Sequence, residues 1–443
     1  MDGRNLFLYW VGNDFKLIAI LRNLIYLHST NGKGYNVHLI TDLNINEYVS
    51  YIPSYFKEMC PAHQADYVRV HVVCKYGGIW MDSDTLVLES LDAVFDYLDT
   101  NDGFFIKQNN EILCNGLFGS KPNTPLMIKW KNDMQIILDE KQGQIGWCDI
   151  GNGMLDTMYN SEPDLYKDYV ILNGLDNVSP INWCDCVREY MQKPYDNYKT
   201  LIREFQPFLI LVNSVYKCIE DNSVSSILTA NLPINYFINK SFENLKKLVD
   251  YDFIEIGTSN FDTLIQQASD ETKGISIDAV KHYIDALPDK ANCKKLNVGI
   301  SNTRSIVNVY YIPEDIVDTY NLEYWFKGCN CINNYHPLHV KHNLTHLCKI
   351  DKVQVITPGD LFYQNCVRNV KYLKLDTEGH DTVILKSLFS YIQFLPTSFY
   401  PNKILFETNE HTTPKDVDEI LDLYYTLGYK LESRGYDTVI VFG

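Results

Sequence analysis

The sequence predicts an α/β protein built as two sheet-based domains, and three observations carry that prediction. A strand–helix–strand pattern opens the chain, a strand–turn–helix–strand pattern begins near residue 248, and a mixed-polarity stretch separates them. At 443 residues with 46% hydrophobic content, the chain can bury two cores. The expected boundaries are a first domain at 1–232, a connector at 233–247 and a second domain at 248–443.

Taken in order, Leu6 to Val11 is an apolar run that reads as the first strand, with Trp10 near its carboxyl end. Leu17 to His28 has helical periodicity, and Asn36 to Thr41 reads as the second strand. In open α/β sheets ligands bind beyond the carboxyl ends of the strands, and Trp10, which also reads as a core residue, lies at such an end.

The densest signal lies between Ala65 and Leu88. Val68, Val72 and Val73 recur at helical spacing, and Gly77-Gly78 stops the helix. Ile79-Trp80-Met81 is a short strand, followed by Asp82 and Asp84 around one serine and then the apolar run from Thr85 to Leu88. In an extended segment residues two apart face the same way, so the two carboxylates would lie side by side. Like charges that close repel, and a hard divalent cation such as Mg²⁺ or Mn²⁺ removes the conflict. Asp66 and Arg69, three apart, share one face of the preceding helix, where the guanidinium would pair with the acid or with a ligand phosphate.

The pattern A-D-x-x-R followed by Y-G-G-x-W-x-D-x-D resembles the sugar-binding region of DXD glycosyltransferases of the GT-A fold, the group of the yeast-type mannosyltransferases and the clostridial glucosylating toxins. The resemblance implies a UDP- or GDP-linked sugar donor, with glucose and rhamnose among the candidates, a glycan acceptor, and transfer with retention of configuration. It implies that Asp66 and Arg69 hold the donor sugar and phosphates, that Asp82 and Asp84 hold Mn²⁺ or Mg²⁺ on the diphosphate, and that Trp10 stacks on the base. A third metal contact is expected near the end of the domain, where Asn213 in the run Phe208 to Lys217 is the candidate.

Between these points Phe104 to Ile106 and Leu117 to Gly119 read as strands, with Asn115-Gly116 between them read as a turn in preference to a lining of the acceptor pocket. Thr124 to Leu138 is a helix whose Met127, Trp130 and Met134 read as core. The polar, glycine-rich stretch from Trp147 to Gly153 has the composition of a substrate loop.

In the second domain Phe253 to Ile256 reads as a strand running into Gly257 and a small-polar turn, then a helix. Gly274 to Asp278 is the next strand and ends in an acid, where ribose hydroxyls are commonly bound. Tyr372 to Asp381 carries K-x-D-x-E-G, with a strand at Lys403 to Glu407 and a helix before Gly428-Tyr429. Residues 248–443 resemble the FkbM-type methyltransferases. That implies a Rossmann-like domain using S-adenosylmethionine to methylate a glycan hydroxyl, with Glu255, Gly257, Asn260 and Asp278 on the cofactor and Asp376, Glu378 and His380 at the reaction site. Two rivals stand beside this reading: a second glycosyl transfer on the same scaffold, and a glycan-binding scaffold with inactive sites.

The net charge of −17 argues against nucleic acid and against anionic membrane surfaces. No apolar run is long enough to span a membrane, and the N-terminus lacks a signal-peptide pattern, so a cytoplasmic protein with free thiols is expected. Cys184-x-Cys186 and Cys329-x-Cys331 are too closely spaced for a structural zinc site, and the metal-like run of His336, His339, His342 and His346 has no diagnostic spacing and reads in preference as a surface loop. The pairing of the two activities on one unanchored chain resembles polysaccharide enzymes of bacteria and of large algal DNA viruses of the chlorovirus kind, which would place it in a host cytoplasm.

Overall fold

The computed structural model describes residues 3–12, 15–108, 112–174, 185, 187–192, 194, 206–211, 222–408 and 411–443. The chain divides into two compact units, 1–247 and 248–443. Among the described residues no helix is long and apolar enough to cross a membrane.

The first unit contains β1 (Asn5–Tyr9), β2 (Asn36–Ile40), β3 (Gly78–Met81), β4 (Thr85–Val87), β5 (Gly103–Gln108), β6 (Ile112–Ser120), β7 (Tyr169–Asn173) and β8 (Phe208–Ile210). Its main sheet runs β2-β1-β3-β6-β5-β7, with β1 parallel to both β2 and β3 and β6 antiparallel to β3 and β5. The central strands β1 and β3 are buried on both faces, which is why they read as apolar runs. The Pro61–Tyr76 helix ends where Gly77 takes φ +67. Met127, Trp130 and Met134 of the Pro125–Lys141 helix are fully buried, as core residues should be.

Two expectations fail here. Asn115-Gly116 is not a turn. Both residues lie inside β6, at a bulge where the β5 partner steps from Phe118 to Cys114. The stretch 233–247 is not a connector either. Pro233–Glu243 is a helix of the first unit, where Ser241 bonds the Val87 carbonyl and Asn244 donates to the Leu88 carbonyl at 2.8 Å. Its one proline, Pro233, sits at the helix start, where a missing N–H costs nothing.

The second unit contains β9 (Val249–Ile256), β10 (Gly274–Asp278), β11 (Cys293–Asn297), β12 (Gly299–Ile300), β13 (Ser305–Tyr311), β14 (Asn330–Ile332), β15 (Lys349–Ile356), β16 (Val367–Leu375), β17 (Lys403–Glu407), β18 (Tyr429–Arg434) and β19 (Asp437–Phe442). Its main sheet runs β11-β10-β9-β16-β17-β19-β18. The first five are parallel, and β19 is antiparallel to both neighbours. The strand order reverses between β9 and β16, so a crevice opens at their carboxyl ends. A smaller sheet, β12-β15-β13-β14, lies within the same unit. The helix expected after Gly257 is a single turn, Leu264–Gln267, closed by a capping box from Thr263. His336 and His339 are fully buried, contrary to the surface-loop reading, while His342 and His346 are exposed.

Candidate functional site

In the first unit the candidate residues meet at the carboxyl ends of β1 and β3. Asp82-Ser83-Asp84 forms a tight turn, not the end of an extended strand, and the Thr85 N–H donates to the Asp82 carbonyl at 3.0 Å. The acids are therefore brought together by a turn rather than by strand alternation. The Ser83 hydroxyl donates to the Tyr9 carbonyl at 3.2 Å, tying this turn to β1.

Arg69 is the hub. Its guanidinium reaches Asp66 at 3.3 Å and Asp82 at 3.2 Å, bonds the Asn115 carbonyl, and lies 5.1 Å over the Trp80 ring. The residue is 4% exposed, with its donors engaged by the protein. It is thus a positioning residue, and the expected direct grip on a phosphate is not what this geometry supports. The Asn115 amide donates to Asp66 Oδ1 at 2.7 Å, and the Asn115 N–H donates to Asn152 Oδ1 at 2.9 Å. Asn115 is a site residue that sequence reading assigned to a turn, because the bulge that delivers it has no local signature. Gly151, at the start of the Asn152–Ser161 helix, packs against Asp66 and Asn115, so the predicted substrate loop does reach the site.

Three carboxylates against one guanidinium leave the site short of positive charge. Burial pushes the Asp66 carboxyl up to about 6, partly offset by Arg69. Asp82 keeps a third of its side chain accessible, yet its carboxylate is deep enough that desolvation raises it, with Arg69 opposing. Asp84 is raised further, by burial and then by the charge of Asp82. These carboxylates fit a divalent cation, the species that would relieve both effects. Asn213, the expected third ligand, lies outside the described residues. Trp10 is half-buried, its N–H extends the β1–β2 ladder to Ile40, and its indole Nε1 is buried without a hydrogen-bond partner among the described residues.

In the second unit a cavity of about 150 Å³ lies at the carboxyl ends of β9, β10 and β16. Gly257, Asp278, Asp376, Glu378 and His380 line it. Gly257 has φ +81, and a Cβ there would overlap the Asp376 carbonyl. Asp278 accepts from the Ser259 N–H at 3.0 Å and the Val280 N–H at 2.7 Å, and burial raises it to about 6. Asp376 is also raised to about 6 by burial, against the pull of Lys374. His380, lowered by burial, shares a hydrogen bond with the Ser301 hydroxyl at 2.9 Å.

Two predicted cofactor residues are elsewhere. Glu255 is fully buried, held by Lys374 at 3.0 Å and by the Leu264 N–H at 2.9 Å. Lys374 is its direct cross-strand partner, so this acid serves the sheet. The Asn260 amide donates to Glu314 at 3.1 Å, and Asn260 does not line the cavity. His336 was missed: it donates or accepts at Glu378 over 3.1 Å, a long-range contact that its sequence neighbours do not announce.

A family model for capsular polysaccharide synthesis proteins matches residues 3–141. No curated protein sequence is significantly similar to the chain. Among solved structures, the apo glycosyltransferase GlyE of Streptococcus pneumoniae TIGR4 is 9% identical, with a TM-score of 0.32, covering 66% of this chain and 79% of that one. The galactosyltransferase LgtC with donor and acceptor sugar analogs is 9% identical at a TM-score of 0.31, covering 54% and 95%. A glycosyltransferase involved in glycosylation of the major capsid of PBCV-1 is 9% identical at 0.29, covering 49% and 99%. No residue role is taken from these likenesses.

Proposed function

We propose that the first unit is a metal-dependent glycosyltransferase that moves a sugar from a nucleotide diphosphate to a glycan hydroxyl with retention, and that the second unit O-methylates the glycan using S-adenosylmethionine. One observation carries the first part: Asp66 and Asp82 pair with the internal guanidinium of Arg69 at the carboxyl edge of a β1–β3 half-sheet, and Asp84, across the same turn, feels the charge of Asp82. A divalent cation bound by Asp82 and Asp84 would neutralise the charge growing on the leaving diphosphate. Arg69 and Asn115 hold Asp66 in place, leaving it to accept hydrogen bonds from donor-sugar hydroxyls. Trp10, half-buried just beyond β1, would stack on the base. The family match over 3–141 supports a setting in polysaccharide assembly, which we place in the cytoplasm of a bacterium or of a virus-infected algal host.

The second part is supported by the strand order of the 248–443 sheet and by the cavity at its switch point. There Asp278 would accept hydrogen bonds from ribose hydroxyls, and bound S-adenosylmethionine would supply the methyl group. Asp376, Glu378 and His380 line the same cavity, where they would orient an acceptor hydroxyl and take its proton.

Hydrolysis of UDP- and GDP-linked sugars, glucose and rhamnose included, should appear with Mn²⁺ and vanish with EDTA. Tritium from labelled S-adenosylmethionine should enter the product glycan. Hydrolysis with no label across glycan acceptors would replace methylation with a second sugar transfer, and no hydrolysis of any donor would overturn the first assignment.

A further inference from the structure

Beside the second unit's cavity lies a group of side chains of which the proposed methylation uses only Glu378. Among the described residues, Cys329, His336 and Glu378 bring a sulfur, a nitrogen and an oxygen within 4.8 Å of one another. They arrive from separate parts of the unit. Cys329 immediately precedes β14, His336 caps the Pro337–Lys341 helix, and Glu378 follows β16. We propose that these three residues form a binding site for a borderline divalent transition metal, of which zinc is the type.

The donor set decides the class of ion. Thiolate and imidazole disfavour Mg²⁺ and Ca²⁺, and a Cys–His–carboxylate trio suits tetrahedral zinc with the fourth position left to water or another ligand. Cys329 and His336 are buried, and Glu378 is the member that lines the cavity. An ion here would therefore pin β14 and the Pro337–Lys341 helix to the turn that forms one cavity wall.

Backbone geometry gives a second, independent sign. Glu378 has φ +53, a left-handed conformation that is uncommon for a non-glycine residue and concentrates at ligand-holding positions. The ring of His336 is set by the Leu338 N–H, which donates to Nδ1 at 3.3 Å, so that Nε2 faces the Glu378 carboxylate 3.1 Å away. The metal would take the place of the proton on Nε2. The ring would then carry its proton on Nδ1 and release the long Leu338 contact. This site is independent of the transfer chemistry proposed above, because an absorption spectrum of the bound metal reads it without any substrate.

The test uses the full chain stripped with EDTA and titrated with Co²⁺. A near-ultraviolet thiolate-to-cobalt band together with tetrahedral visible bands should saturate at roughly one ion per chain. Co²⁺ held by Asp82 and Asp84 would give no thiolate band, so the two sites are told apart. Zinc should displace the cobalt and raise the melting temperature of the second unit. Cys329→Ser should abolish the thiolate band, and Glu378→Gln should keep it while weakening binding at least tenfold, roughly the loss expected for a disturbed metal site. If Cys329→Ser fails to fold, His336→Gln, which retains every thiol, should weaken binding by a similar factor. The absence of a thiolate band in the unaltered chain, or its persistence in a folded Cys329→Ser protein, would overturn the assignment.

Discussion

The two candidate sites carry excess negative charge and handle it in opposite ways. In the first unit the balancing cation is built in: Arg69 sits between Asp66 and Asp82, leaving Asp84 as the uncompensated acid. In the second unit the cation beside Asp376 is Lys374, and it is bonded to Glu255 within the sheet. The remaining acids meet one another and imidazoles. Glu407 is pushed up to about 9 by burial and then by Glu378, Asp376 and Asp381. His380 shares a hydrogen bond with Ser301, and His336 meets Glu378. A fixed guanidinium pre-shapes a site for one more cation, whereas acids among imidazoles suit proton transfer and transition-metal binding.

The largest expected effect breaks the first half of that contrast. Asp84→Asn removes the acid that lacks a partner, and with it a cation ligand. Donor hydrolysis with Mn²⁺ should fall about 10²–10³-fold, the size seen when one charge-stabilising group is lost. The folded protein should nevertheless become more stable at pH 8, because a buried like charge has gone. Rate and melting temperature measured on the same preparation separate the two. Parallel loss of both would mean Asp84 is structural.

Gly257→Ala probes the second unit's backbone. The residue has φ +81, and an added Cβ would overlap the Asp376 carbonyl. A cost of about 3 kcal/mol or more is expected in chemical denaturation of the second unit. Donor hydrolysis by the first unit should be retained, and its loss would show that the two units do not fold independently.

How much of this was readable in the chain follows from the range of the interactions. Asp82 and Asp84 announced themselves by residue type and by the glycines and aromatics beside them. Their geometry did not, because a three-residue turn and a strand end look alike in one dimension. Asn115 was hidden by a bulge, which depends on the register of β6 against β5 and not on local propensity. Glu255 was misassigned since its partner Lys374 lies over a hundred residues away and becomes a neighbour only when β9 and β16 pair. His336 was hidden for the same reason, its contact with Glu378 being made by tertiary structure alone.

The pH dependence of stability sharpens the comparison further. A carboxyl raised by folding contributes stability that is complete below the unfolded value of about 4 and is lost as pH climbs to the folded value. Asp278 and Asp376 reach about 6 and Asp381 about 7, all in the second unit. Glu407, at about 9, adds to them and His339, lowered to about 4, subtracts, whereas in the first unit Asp66, at about 6, with Asp82 and Asp84 also raised, is opposed by His28 and His71, both lowered to about 4 by burial. A lowered histidine acts the other way, adding stability as pH rises from about 4 to about 6.5. In EDTA-treated protein the second unit should therefore lose more stability than the first between pH 5 and pH 8, by about 1–3 kcal/mol. Denaturation followed separately for each unit checks this, and equal slopes would contradict it.

The smallest effect on the fold should come from Trp147, which is 73% exposed, with its ring 5.8 Å from that of His63. His63 lies one turn before Asp66 on the Pro61–Tyr76 helix, and Trp147 begins the loop that leads to Gly151. An indole left in water contributes little to the core, so Trp147→Ala should shift stability by less than about 0.5 kcal/mol. If the loop meets the acceptor, the ring would stack on an apolar sugar face, and truncation should raise the acceptor KM severalfold with kcat and donor hydrolysis unchanged. An unchanged acceptor KM would confine acceptor recognition to the Asp66 side of the site. A fall in donor hydrolysis would instead assign the loop to the donor, through the contact that Gly151 makes with Asp66.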